Sequence, residues 1–144
     1  MPARTGDAEW HGDLQSGRGT VALGSGAFSG SYSFRSRFED GEGGQATNPE
    51  ELIAAAHAAC FSMALSHALA GAGHTPERVA TTATVHLERD EGGFSISRID
   101  LATEASVPGI DEEEFCSQAE GAKANCPVSK ALAAVAITLE AKLA

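Results

Sequence analysis

The sequence predicts an α+β fold with an antiparallel sheet, on three observations. Strand-like segments come in runs, three before residue 40 and two after residue 77, rather than alternating with helices. A stretch of 21 residues from Leu52 to Ala72 carries no formal charge and reads as one long helix, apolar enough all round for the middle of a core. Gly17, Gly19, Gly24, Gly26 and Gly30 punctuate the early strands as turn residues do. With 144 residues, 42% apolar content and no repeat, linker or low-complexity segment, one domain over residues 1–144 is expected.

The first three strands are AEWHGDL, GTVALGSG and SYSFRSRFE. In the third, Tyr32, Phe34 and Phe38 alternate with Ser33, Arg35 and Arg37, so a pleated segment puts the aromatics on one face and both arginines on the other. DGEGGQAT is a loop, and TNPEEL starts the long helix. Asn48 caps it, Pro49 suits the first position, Glu50 meets the positive end of the dipole, and Glu51 completes a reciprocal capping box. The helix is expected to end near Gly71 or Gly73. RVATTATVHLER and FSISRIDLATEASV follow as a hairpin turning through Asp90, Glu91, Gly92 and Gly93. In IDEEEFCSQAEGAKA, Asp111 and the acidic first turn open a helix with Phe115, Ala119 and Ala122 on one face. NCPVSKALAA restarts a short helix, and AVAITLEAKLA closes as a strand alternating Val135, Ile137 and Leu139 with polar residues.

Composition removes several function classes. Twenty acidic against ten basic residues give a formal charge of −10, the wrong sign for a surface that displaces counterions from nucleic acid or docks on anionic lipid. Three cysteines are too few and too irregular for a disulfide scaffold, and MPARTGDAEW lacks the apolar core of a signal peptide, so free thiols in a reducing cytoplasm are expected. The Leu52 to Ala72 run has the length of a membrane span. Its alanine content, its His57, His67, Ser62 and Ser66, and its acidic flank favour a buried helix of a soluble protein.

The candidate chemistry is in the cysteines. Cys126 precedes Pro127 at a helix start, where the dipole, unpaired N–H groups and Lys130 favour a thiolate. A small capping residue beside proline is the competing reading. Cys60 lies mid-helix among apolar neighbours, which raises a thiol pKa and suits an inert core residue. Reactivity there requires a cation from elsewhere, either His57 one turn earlier or an arginine from the Phe34 to Phe38 segment. Cys116, among acidic residues, is a bystander. His57, Cys60 and His67 share a stripe that a metal-dependent hydrolase could use, but no paired-cysteine motif accompanies them.

TNPEELIAAAHAACFSMALS and, 66 positions after Cys60, ANCPVSKAL, together with SRFE, resemble the osmotically inducible protein C and organic hydroperoxide resistance (OsmC/Ohr) family, in its osmotically inducible branch. The resemblance implies antiparallel sheets wrapped around a long central helix in an intertwined homodimer with active sites at the subunit interface. It implies a cysteine-based thiol peroxidase that reduces organic hydroperoxides in preference to hydrogen peroxide, without haem, flavin or metal. By motif position Cys60 matches the peroxidatic cysteine, Cys126 the resolving cysteine, Arg37 the thiolate-activating arginine and Glu50 the acid that orients it; a dithiol, dihydrolipoyl in the organic hydroperoxide branch, is the implied reductant. Glu50 and Cys60 are ten residues apart, roughly 15 Å along a straight helix. Two helices packed antiparallel about Ala54 to Ala56 would bring Glu50 of one chain to Cys60 of the other. The competing functions are a non-catalytic binding or structural module and the His/Cys metal-dependent hydrolase.

Overall fold

The computed structural model describes residues 1–39 and 44–144. Asp40 to Gly43, the first half of the expected loop DGEGGQAT, lie outside the described residues. The chain forms two compact units, Met1–Leu52 and Ile53–Ala144.

In the first unit, β1 (Gly6–His11), β2 (Arg18–Leu23) and β3 (Ser29–Tyr32) make an antiparallel sheet in that order. The sheet closes on itself tightly at Gly19, opposite both Trp10 and Tyr32 in the ladder. A Cβ there would stand 2.5 Å from the Tyr32 ring and 2.8 Å from the Trp10 ring, so only glycine lets the two aromatics meet, with centroids 5.3 Å apart. The third strand ends sooner than its alternation predicts. Phe34–Phe38 is a helix, α1, because Ser33 and Ser36 cap each other reciprocally: the Ser36 N–H donates to Ser33 Oγ at 3.2 Å and the Ser33 N–H to Ser36 Oγ at 2.8 Å. Phe34 and Phe38 then meet at i and i+4, with ring centroids 4.9 Å apart. Arg35 and Arg37, two residues apart, no longer share a face.

The long helix α2 (Pro49–Gly71) starts at Asn48, whose Oδ1 accepts from the Glu51 N–H at 2.8 Å. The expected reciprocal box does not close. The Glu51 carboxylate accepts instead from Thr47 Oγ1 at 2.8 Å. At the other end Gly73, at φ 90°, lets the His74 N–H reach the Leu69 carbonyl at 2.9 Å, a left-handed termination that only glycine adopts without strain.

In the second unit, β4 (Arg78–Asp90) and β5 (Gly93–Ser106) form the expected hairpin, with a bulge between His86 and Leu87. Next come α3 (Glu112–Asn125), α4 (Pro127–Ala131) and β6 (Ala136–Leu143). β6 runs parallel to β5, pairing Arg98 with Ala136 through Ala105 with Leu143. This corrects the all-antiparallel expectation. Two helices between β5 and β6 give enough chain to return to the starting end of β5, the crossover that a parallel pair requires. The core joins Phe61, Leu65 and Leu69 of α2, Ile99, Leu101 and Ala105 of β5, and Phe115, Ala119 and Ala122 of α3.

α2 is not buried all round, as its uncharged sequence suggests. Ala55, Ala56 and Ala59 are exposed, and Met63 is 75% exposed. By length and composition the helix could cross a membrane. Its buried stripe, however, carries His57 alongside Phe61, Leu65 and Leu69 into a protein core. Phe115 alone anchors α3 with a large ring at 0% exposure. We expect Phe115→Ala to cost about 3–5 kcal/mol in denaturant unfolding, since the cavity under a short helix cannot collapse around the missing ring.

Candidate functional site

Helix junctions and helix faces, not loops, place the chemical groups. In the second unit, Cys126 both ends α3 and begins α4. Its N–H donates to the Ala122 carbonyl at 2.9 Å, its own carbonyl accepts from the Lys130 N–H at 3.1 Å, and its Sγ accepts from the Ser129 N–H at 3.3 Å. Pro127 occupies the first turn, where its missing N–H costs nothing. Cys126 is 1% exposed and belongs to the core.

Cys60, on the middle of α2, is half-buried, and the Cys126 thiol is its neighbour. Both are free thiols. Burial pushes the Cys60 thiol above its ordinary value; the Val128 backbone N–H hydrogen-bonded to the sulfur pulls the other way, and the neighbouring Cys126 thiol raises it again. The second unit thus builds a dithiol whose first member resists ionisation.

One of the two cation sources read from the sequence is removed by the structure. His57 is fully buried, and burial lowers its pKa below the ordinary histidine value, so it is held neutral. Its Nε2 lies 2.7 Å from Ser129 Oγ, and Cys126 Sγ donates to the same oxygen at 3.1 Å. The metal reading also fails on placement: His57 is buried while His67 is exposed, and among the described residues no group of three or more His, Cys, Asp or Glu side chains could hold a metal ion. Cys116 is half-buried on α3, packed against the core. Ser129 escaped the sequence reading, although its position three residues after a capping cysteine, at the third place of the helix, was a usable signal.

In the first unit, Arg37 and Glu50 make a forked pair. Arg37 Nε donates to both Glu50 oxygens at 3.2 Å, and Nη2 donates to Oε1 at 2.8 Å. Glu50 is 8% exposed, so the guanidinium compensates an almost buried carboxylate. Arg35 instead reaches Glu39 at 3.2 Å across one helical turn, on a different side of α1. Arg37 also lies over the Phe38 ring, 5.2 Å from its centroid. Beside it Trp10, Leu14, Tyr32, Phe34 and Phe38 line a pocket of about 250 Å³.

A family model described as OsmC-like protein matches residues 41–141, and Peroxiredoxin OsmC of Escherichia coli is 50% identical over 141 residues, 97% of this chain and 96% of that one. The chain belongs to the OsmC-like protein family. Among solved structures, an organic hydroperoxide resistance protein OsmC from Legionella pneumophila superposes with a TM-score of 0.72 at 30% identity, covering 99% of both chains. The organic hydroperoxide resistance protein OhrB of Bacillus subtilis superposes with a TM-score of 0.71 at 28% identity, covering 96% of this chain and 98% of that one. The α+β architecture, with its two small sheets and long helix, is therefore that of OsmC and Ohr proteins.

The buried histidine has a measurable consequence for stability. Because the fold depresses the His57 pKa, the unfolded chain takes up a proton that the folded one excludes. The associated stability is fully present above about pH 6.5 and is lost as the pH falls below it. Urea unfolding at pH 7.5 and pH 5.5 should show this loss, and His57→Gln should show a smaller one.

Proposed function

We propose that this protein is a thiol peroxidase that reduces organic hydroperoxides, and hydrogen peroxide less well, through a Cys60 sulfenic acid and a Cys60–Cys126 disulfide. The proximity of Cys60 and Cys126 carries this reading: two thiols 66 residues apart in sequence are neighbours in the fold. The names of the relatives, a peroxiredoxin and organic hydroperoxide resistance proteins, support a hydroperoxide-detoxifying role in stress defence.

The Cys60 thiolate attacks the distal peroxide oxygen; the O–O bond breaks, the alkoxide takes a proton and leaves as an alcohol, and Cys60 becomes a sulfenic acid. Cys126 then attacks the oxidised sulfur, forming the disulfide and releasing water. A dithiol, for which a dihydrolipoyl group is our choice, reopens the bridge by exchange, giving its two electrons and two protons to the protein thiols and leaving as its own disulfide. Since burial opposes the thiolate, activation falls to the permanently charged guanidinium of Arg37, which Glu50 holds by the fork. The pocket beside Arg37 offers aromatic walls to an alkyl chain, whose burial contributes about 0.8 kcal/mol per methylene, a gain that hydrogen peroxide lacks.

The working assembly is a homodimer with shared active sites, in which Arg37 and Glu50 of one subunit serve Cys60 of the other. The small exposed residues Ala55, Ala56 and Ala59 on α2 support a close antiparallel crossing of two such helices. Both units act together as one domain, and the surroundings are the reducing cytoplasm, where a dithiol reductant is available.

The test is thiol titration with mass analysis before and after one equivalent of cumene hydroperoxide. The reduced protein should lose two thiols, mapped to Cys60 and Cys126; loss at Cys116 would defeat the scheme, and no consumption of peroxide would leave a passive module. Cys60→Ser should abolish turnover with dihydrolipoate, and Cys126→Ser should stop after one reduction with the sulfenic acid persisting. Arg37→Ala should slow the first oxidation step on the order of 10²-fold, comparable to losing one preorganised charge partner of a reacting anion.

A further inference from the structure

The proposed cycle leaves one buried titratable side chain unused. His57 is 0% exposed, and its Nε2 is joined through Ser129 to the thiol of Cys126, at 2.7 Å and 3.1 Å. Its Nδ1 is buried with no hydrogen-bond partner among the described residues. Leaving such an atom unpaired is costly, and a packing role alone could be filled by an apolar side chain of similar size.

The chain of donors has a direction. Ser129 Oγ accepts from the Cys126 thiol, so the serine hydroxyl proton is free to be donated, and Nε2 is its acceptor. That arrangement puts the imidazole proton on Nδ1 and leaves one group unpaired. The opposite tautomer would make Ser129 Oγ accept twice and leave both the serine proton and the Nδ1 lone pair without partners. Meanwhile the Ser129 N–H at 3.3 Å from Cys126 Sγ holds the sulfur from a second direction.

We propose that Ser129 and His57 form a proton relay for Cys126, taking the thiol proton inward while the sulfur attacks the Cys60 sulfenic acid. This rests on the reading of Cys126 as the resolving cysteine. The Cys126 S–H proton passes to Ser129 Oγ as the serine proton passes to His57 Nε2. The freed thiolate bonds to the Cys60 sulfur, the S–O bond breaks, and hydroxide departs. The imidazolium returns its proton through Ser129 to that hydroxide, which leaves as water. One sulfenic acid and one thiol become one disulfide and one water, with no other oxidant or reductant. Neither Ser129 nor His57 touches the peroxide; their acid–base role is confined to the second step, where Ser129 touches the reacting Cys126 thiol and His57 acts through Ser129.

The experiment follows Cys60 oxidation and disulfide formation separately, mixing reduced protein with one equivalent of cumene hydroperoxide, trapping sulfenic acid with dimedone at timed intervals and weighing the products. Ser129→Ala and His57→Gln should slow disulfide formation on the order of 10²-fold, the scale of one lost proton-transfer partner, with a far smaller effect on Cys60 oxidation. Ser129→Thr, which keeps the hydroxyl, should restore most of the rate. His57→Gln is the deciding variant, because an amide oxygen accepts the serine hydrogen bond but does not take the proton. Disulfide formation at the parent rate in His57→Gln would overturn the relay, as would equal slowing of both steps in every variant. In the unaltered protein, ¹⁵N NMR should find the His57 proton on Nδ1, and a proton on Nε2 would also overturn it. Cys126→Ser separates the two levels: a persistent Cys60 sulfenic acid upholds the resolving role whatever His57→Gln does, whereas a disulfide formed through another cysteine removes that role and the relay with it.

Discussion

The contact between the sulfurs of Cys60 and Cys126 depends on where the chain turns back, and much of the second unit serves that turn. Cys126 is fixed by the carbonyl of Ala122 behind it, the N–H of Lys130 ahead of it and the N–H of Ser129 at its sulfur. α3 is held in turn by Phe115, Ala119 and Ala122 against β5 and α2. The parallel return of β6 beside β5 requires the two-helix crossover, and the kink between those helices is where the cysteine sits. A simple antiparallel meander would contain no such junction.

Holding a thiol in that setting creates an electrostatic problem that the rest of the proposed machinery answers. Low-dielectric surroundings favour the uncharged thiol, and the neighbouring Cys126 adds to the penalty instead of relieving it. Among the described residues, the Val128 backbone N–H is what opposes this at the sulfur. A neutral His57 contributes no charge. The guanidinium of Arg37 cannot be deprotonated and is kept in one orientation by a carboxylate that is itself almost buried, which makes the pair a stable charged unit rather than a flexible surface cation. A lysine could supply the charge but not the fork, because an ammonium has no fixed plane to match both carboxylate oxygens.

Much of this was legible in the sequence, and the failures have specific physical causes. The long helix, its cap at Asn48, the hairpin at Asp90 to Gly93 and the acidic start of α3 all follow from short-range chemistry, and the structure carries them. SYSFRSRFE misleads because Phe34 and Phe38, four apart, share a face in a strand and in a helix alike. Only the Ser33 and Ser36 hydroxyls decide between the two, and their mutual capping is weak evidence in a serine-rich segment. The parallel pairing of β6 is invisible to local patterning, since alternation says which residues face inward but not which way the neighbour runs. The contact of Cys60 with Cys126 is likewise a long-range fact that no spacing rule supplies; family motifs pointed to it. His57 was read as a cation, a ligand or a core residue, and its partner Ser129 was missed, because an α2–α4 hydrogen bond leaves no periodic trace.

Rigid placement of both sulfurs also bears on how the cycle could turn over. Disulfides need Cα atoms roughly 4.4–6.8 Å apart and a narrow dihedral range, so a pair held on two flexible loops must search for that geometry each time. Here one cysteine is on a continuous helix and the other at a helix junction pinned by three backbone hydrogen bonds. Their thiols are neighbours in the reduced state. In the proposed cycle the oxidised sulfur meets an intramolecular partner before a second peroxide molecule, which limits progress toward the irreversible sulfinic and sulfonic acids. In that proposal, pre-arrangement of the dithiol does for protection of Cys60 what the charged fork does for its activation.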